Sequence, residues 1–116
     1  LGDVYKRQVG DLGRLVAGLT NSAAVPLLGP EARALIRTPQ TPEDSRTHYS
    51  IGFFLHSQAD GRTFVGHGGS VAGYNAYLVF EPVSGVGVIM LRNYLGGATN
   101  LGSASRGLLG RLLSGG

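Results

Sequence analysis

The residues of this 116-residue chain best suited to chemistry stand together in one short run, "GHGGS", at Gly66–Ser70. A histidine can take up or release a proton near neutral pH. A serine hydroxyl attacks carbonyls when a neighbouring base activates it. Glycines lack a Cβ and let another backbone lie close against the chain. In an extended segment this combination suits acyl chemistry, with backbone N–H groups offered to a carbonyl by β-pairing or as part of an oxyanion hole. The same residues also suit a β-bulge, or a loosely packed strand with an incidental histidine.

Neighbouring patterns fail as motifs. Gly66-His67-Gly68 begins a dinucleotide fingerprint, but Val71 stands where the third glycine belongs and no helical pattern follows. Gly68-Gly69-Ser70-Val71-Ala72 approaches the G-x-S-x-G nucleophile elbow, but it ends in alanine and lies between two strand-like runs. The three histidines, His48, His56 and His67, are spaced by eight and eleven residues and the chain has no cysteine. That spacing matches no compact metal motif, so neither a metal nor another cofactor is expected. Disulfide and thiolate chemistry are excluded. His48 and His56 fall at strand ends and are expected at the surface.

The elements that must position this run are legible from periodicity. Asp11 can cap a helix through Asn21, with Leu12, Leu15, Val16 and Leu19 on one face. Pro30 suits the first turn of a second short helix that reaches about Arg37, and "TPQTPEDS" ends it. Four strands follow at Tyr49–His56, Thr63–Gly69, Tyr74–Phe80 and Val86–Arg92, joined by short links that include the Asp-Gly of "QADGR". A last helix spans Ala98–Ser114. The fold class is therefore α+β: an antiparallel β-sheet meander with the C-terminal helix packed on one face and short N-terminal helices. His67, Gly68, Gly69 and Ser70 are expected at an accessible strand edge or its end. Tyr74 and Asn75 are candidates for the same cleft, with plain turn and strand-start roles as the alternative.

Composition bounds the function. With 42% hydrophobic and 15% charged residues the chain is globular. Its net charge of +3 comes from scattered cations with no run longer than Lys6-Arg7, so no nucleic-acid partner is expected. No apolar run approaches the ~20 residues of a membrane-spanning helix. The opening Leu1–Gln8, "LGDVYKRQ", resembles a translated sequencing-adapter remnant and is set apart, leaving residues 9–116 as the domain.

The segments "VGDLGRLVAGLTN", "LIRTPQTP", "YSIGFFL", "GHGGSVAGYNAYLVFEPVSGVGVIMLRN" and the closing helix together resemble the C-terminal part of the serine β-lactamase-related superfamily. That superfamily includes class C β-lactamases, D-Ala-D-Ala carboxypeptidases and β-lactamase-like esterases. It uses a serine in S-x-x-K, a tyrosine in Y-x-N and a third motif of K-T-G type, in which many esterase-like members carry histidine. His67-Gly68-Gly69 is similar to that histidine form. The resemblance implies that His67 helps place the tyrosine and the polar end of the substrate. It also implies that the Ser70 backbone N–H is one oxyanion-hole donor, and that Gly68, Gly69, Tyr74 and Asn75 line the substrate cleft. The implied partner is a small-molecule or peptide acyl substrate. Histidine in place of lysine favours esters or peptides over β-lactams, since the lactam carboxylate suits a fixed positive charge.

Two family motifs are missing from these residues. The only lysine, Lys6, has Asp3 three positions before it, and no tyrosine is followed two residues on by asparagine. The expectation is a C-terminal portion of a serine hydrolase whose nucleophile lies upstream. The alternatives are a stand-alone module that captures an extended peptide at a strand edge, and a non-catalytic relative.

Overall fold

The structure is a computed structural model that describes residues 8–20, 27–44, 47–94 and 98–115. The first seven residues of the set-apart segment lie outside the described residues. The elements are α1 (Val9–Leu19), α2 (Pro30–Leu35), β1 (His48–Tyr49), β2 (Phe54–Ser57), β3 (Thr63–Val71), β4 (Tyr74–Phe80), β5 (Gly87–Arg92) and α3 (Leu101–Leu113). The strands form one antiparallel sheet in the order β1-β2-β3-β4-β5, a meander as expected, but with five strands instead of four.

The fifth strand arises because the apolar run Tyr49–His56 folds back on itself. Gly52 has φ of +86°, and Ser50 N–H donates to the Phe53 carbonyl at 2.8 Å. Ile51-Gly52 is thus a two-residue turn, with Gly52 at the left-handed position that glycine fills without cost. The hydrophobic alternation across "YSIGFF" hid this turn.

Other boundaries shift by one to three residues. The first helix begins at Val9 with Gln8 as its N-cap, so Asp11 sits in the first turn and its carboxylate accepts from the Gln8 N–H at 3.3 Å. The last helix starts after Asn100, whose side chain accepts from the Ser103 N–H at 3.0 Å. Asparagine is among the best N-caps, and this bond fixes where α3 begins. The second strand of the expected four runs two residues beyond Gly69, to Val71.

Helices cover both faces. Val16 and Leu19 of α1 pack with Ile36, Leu55, Val65 and Phe80 on one face. Leu109 of α3 packs with Phe64, Val79 and Val88 on the other. Val65, Val79, Phe80 and Leu109 are fully buried, each worth about 1.5–3 kcal/mol relative to exposure. Of the leucines on α3, Leu108 and Leu112 stay exposed, while Gly102, Ser105 and Leu109 form the buried stripe. Small residues at the first two of these positions bring the start of the helix close to the sheet.

Two hairpin turns fix the register. Glu81 is buried at the β4–β5 turn, where its carboxylate accepts from Val83 N–H at 2.6 Å and Ser84 N–H at 3.0 Å. The β3–β4 turn is Ala72-Gly73, with φ of +49° and +86°. Positive φ at both central residues suits the twist of the flanking strands.

Two stability predictions follow from these positions. Alanine at left-handed φ costs roughly 1–2 kcal/mol, so Ala72→Asn should raise unfolding stability by about 0.5–1 kcal/mol in urea melts, because asparagine tolerates this conformation. The Ser105 hydroxyl is fully buried and has no hydrogen-bond partner among the described residues. Ser105→Ala should therefore stabilise the protein by about 1 kcal/mol in the same assay.

Candidate functional site

The hydrogen-bonding parity of β3 defines the site. Gln58 N–H donates to the Arg62 carbonyl at 2.8 Å, next to the Ser57–Thr63 pair. Bonded pairs alternate in an antiparallel ladder, so Phe64 and Gly66 also direct their N–H and C=O toward β2. Glu81 N–H donates to the Val86 carbonyl at 2.9 Å. Counting back along the β4–β5 and β3–β4 registers turns Val65, His67, Gly69 and Val71 toward β4. Both counts aim Gly68 and Ser70 the other way, toward β2.

But β2 has already ended. Its last pair with β3 is Phe54–Gly66, while β4 stays paired through Val71. The N–H groups of Gly68 and Ser70 therefore face an open edge, with no backbone partner among the described residues. His67, Gly69 and Ser70 are exposed and Gly68 half-buried, as expected for an accessible edge.

His67 sits at this edge. Its Nδ1 lies 2.6 Å from the Gly68 carbonyl. A carbonyl only accepts, so Nδ1 carries the proton and, in the neutral ring, Nε2 keeps its lone pair. The ring stacks edge-on to Tyr49 at 6.1 Å and tilted to Phe54 at 5.5 Å. These contacts swing the ring around the end of β2.

The glycines of the run have different reasons. A Cβ on Gly66 would lie 2.6 Å from the Leu78 carbonyl, and one on Gly68 would lie 2.8 Å from the Tyr77 ring. Both positions are packing requirements. A Cβ on Gly69 would meet nothing within 4 Å. Only there does the missing side chain leave open space.

Beside the edge lies an open groove of about 860 Å³ between the ends of β3, β4 and β5 and the start of α3. Ser70, Asn75, Tyr77, Arg92 and Arg106 line it, with no carboxylate among its lining residues. Two guanidinium groups in a groove without counter-charge favour an anionic or strongly polar occupant. Arg92 is also tied to the chain ahead of α3, donating to the Tyr94 and Thr99 carbonyls at 3.2 and 3.0 Å. The register splits the two weaker candidates. Asn75 pairs with Ser70 and lines the groove, whereas Tyr74 pairs with Val71 on the opposite face and lies outside it.

The floor of the groove holds a network that sequence patterns did not reveal. Tyr77 Oη lies 3.0 Å from His56 Nε2 and accepts from Arg106 Nη1 at 2.9 Å. Its ring rests against Gly68 on one side and Gly102 on the other, where an added Cβ would come within 2.9 Å. His56 is half-buried, not a surface residue, and so is His48. Burial, and then the positive charge of Arg106, lower the His56 pKa below its ordinary 6.5. The only early signal was the even spacing of Phe54 and His56, which puts both on the α3 face of the sheet.

Among the described residues no group of three His, Cys, Asp or Glu side chains could hold a metal ion. No described helix is long and apolar enough to cross a membrane. A family model described as Beta-lactamase matches residues 6–109. No curated protein and no solved structure gives a match.

The lowered His56 pKa makes a pH prediction. The unfolded chain binds this proton near pH 6.5 while the folded chain resists it, so the contribution of His56 is neutral above about pH 6.5 and becomes destabilising as pH falls below it. Urea midpoints measured at pH 8 and pH 5 should show this loss. His56→Gln, which keeps an acceptor for Tyr77 but does not titrate, should reduce the loss.

Proposed function

The chain belongs to the beta-lactamase family, within the serine beta-lactamase-related superfamily, and on that premise we propose that it forms the β-edge wall of a serine acyl-transfer site. The observation that carries this reading is the Ser70 N–H at the open end of β3, which has no backbone partner among the described residues. A substrate carbonyl approaching this edge would find one oxyanion-hole donor there. The second donor and the nucleophilic serine would come from a segment outside this sequence, which contains no S-x-x-K.

The step is covalent catalysis. The serine oxygen bonds to the carbonyl carbon of an ester, amide or lactam, and the carbonyl oxygen becomes an oxyanion facing Ser70 N–H. Collapse breaks the C–O or C–N bond, the alcohol or amine takes up the proton that the serine gave up (staying tethered in an opened lactam), and water then adds to release the acid and restore the serine hydroxyl. Each oxyanion donor is worth about 3–4 kcal/mol in such sites. The Gly68 carbonyl is engaged by His67 Nδ1, and His67 Nε2 is left to accept a hydrogen bond from a catalytic hydroxyl or a polar substrate group. Gly69 leaves room above the edge. The arginines of the groove suit the anionic or polar remainder of the substrate. Without a fixed lysine charge in the third motif, esters and peptides fit better than β-lactams.

Ser70 tests the reading because its role lies in the backbone. Proline removes the N–H, and at an unpaired edge it breaks no ladder bond. In the full-length hydrolase, Ser70→Pro should lower kcat on a chromogenic ester about 10²–10³-fold relative to Ser70→Ala. Equal rates for the two variants would remove the oxyanion role. The 116-residue chain alone should not exceed the buffer rate with a chromogenic ester or a cephalosporin. Labelling of Ser70 by a fluorophosphonate, lost in Ser70→Ala, would reverse that expectation.

A further inference from the structure

We propose that Tyr77 is a positioning residue for the Gly68–Ser70 edge and that protonation of His56 loosens it. The Tyr77 ring lies directly beneath Gly68, so close that any side chain there would collide with it. The height of this edge above the groove floor is therefore set by where the ring sits. The ring in turn is held at its far end, with Oη between His56 on β2 and Arg106 on α3. Gly102 closes the other side of the ring. Three strands of the sheet and α3 thus meet on one residue.

The protons of this network have a preferred arrangement. The Arg106 guanidinium can only donate, so Oη accepts from it. The phenolic hydrogen is then free to donate to His56 Nε2, which accepts only when the imidazole is neutral. Protonation turns Nε2 into a donor. The phenolic hydrogen must then leave, and a second cation faces Arg106. The groups facing His56 are Tyr77 from β4, Arg106 from α3 and the uncharged Phe54 ring on its own strand. Its partner on β3 is Phe64, and the groove carries no carboxylate that would compensate the new charge. Acid therefore leaves Oη accepting from two cations at once, and the repulsion between them strains both holds on Tyr77. The acyl-site reading gives this coupling a purpose, but the coupling itself does not depend on it.

The test is NMR on the ¹⁵N-labelled full-length natural protein, in a His67→Gln background that removes the other imidazole beside Gly68. The amide resonances of Gly68 and Ser70 should shift with pH at the midpoint of the His56 imidazole, while Gly13, in α1 on the other face of the sheet, stays flat. Adding Tyr77→Phe should leave His56 titrating but reduce the Gly68 and Ser70 shifts to the level of Gly13. Where the doubly substituted protein does not fold, His56→Gln in the otherwise unaltered protein should remove the same component from both amides. Gly68 and Ser70 amides that stay flat through the His56 midpoint, or that titrate undiminished in either variant, would overturn the proposal. Absence of ester hydrolysis by the unaltered full-length protein, with the coupling intact, would count only against the acyl-site reading.

Discussion

A nine-residue strand lies beside a four-residue one, and the rest of the site depends on that mismatch. β3 is paired on both sides at Val65 and Gly66 and only to β4 beyond them. An unpaired N–H buried in a sheet would be costly, but at an edge it is solvated until a ligand replaces the water. The short hairpin at Ile51-Gly52 is what stops β2, since it folds the chain back into β1 before it can follow β3 further. The space left over is the place where His67 turns its ring and where the groove opens.

The layers around that edge come close because side chains are absent at the contacts. Val16 of α1 approaches Gly87 of β5 so nearly that a Cβ there would lie 3.1 Å from its methyl group. On the other face the Tyr77 ring fits between Gly68 and Gly102. Interiors are close-packed, and a methyl group at such a contact must displace something. The chain thus uses Gly66 and Gly68 of β3, Gly87 of β5 and Gly102 of α3 for packing, while Gly69 alone in the "GHGG" run keeps a surface clear. A motif that looks uniform as "GHGG" is a mixture of structural and open positions.

Much of the architecture was legible in the sequence. Alternation alone located β4 at Tyr74–Phe80, and the turn residues between the strands implied their antiparallel order. The placement of His67, Gly68, Gly69 and Ser70 at an accessible edge was legible as well. What was not legible depended on tertiary contact. Ile51-Gly52 was hidden within an apolar run, because a single glycine in a strand pattern does not announce a reversal. Ser105 looked like a polar position on a helix and proved to be buried. Tyr77, His56 and Arg106 are 21 and 29 residues apart along the chain from Tyr77, and no local pattern joins them. Tyr74 and Asn75 are adjacent in sequence, yet strand pleating sends them to opposite faces.

The change of partners along β3 has a consequence for how its backbone meets solvent. Along His67–Val71, every second amide is locked against β4 while the ones between, at Gly68 and Ser70, are bonded to nothing in the sheet. Amide hydrogens of one strand would then exchange with deuterium in two populations interleaved residue by residue. His67, Gly69 and Val71 would be slow and Gly68 and Ser70 fast, although all five belong to the same strand and move together. A molecule seated on the edge would collapse the two populations into one, by covering the fast set alone. The strand therefore reports its own occupancy, in a pattern that general stiffening of the fold could not imitate.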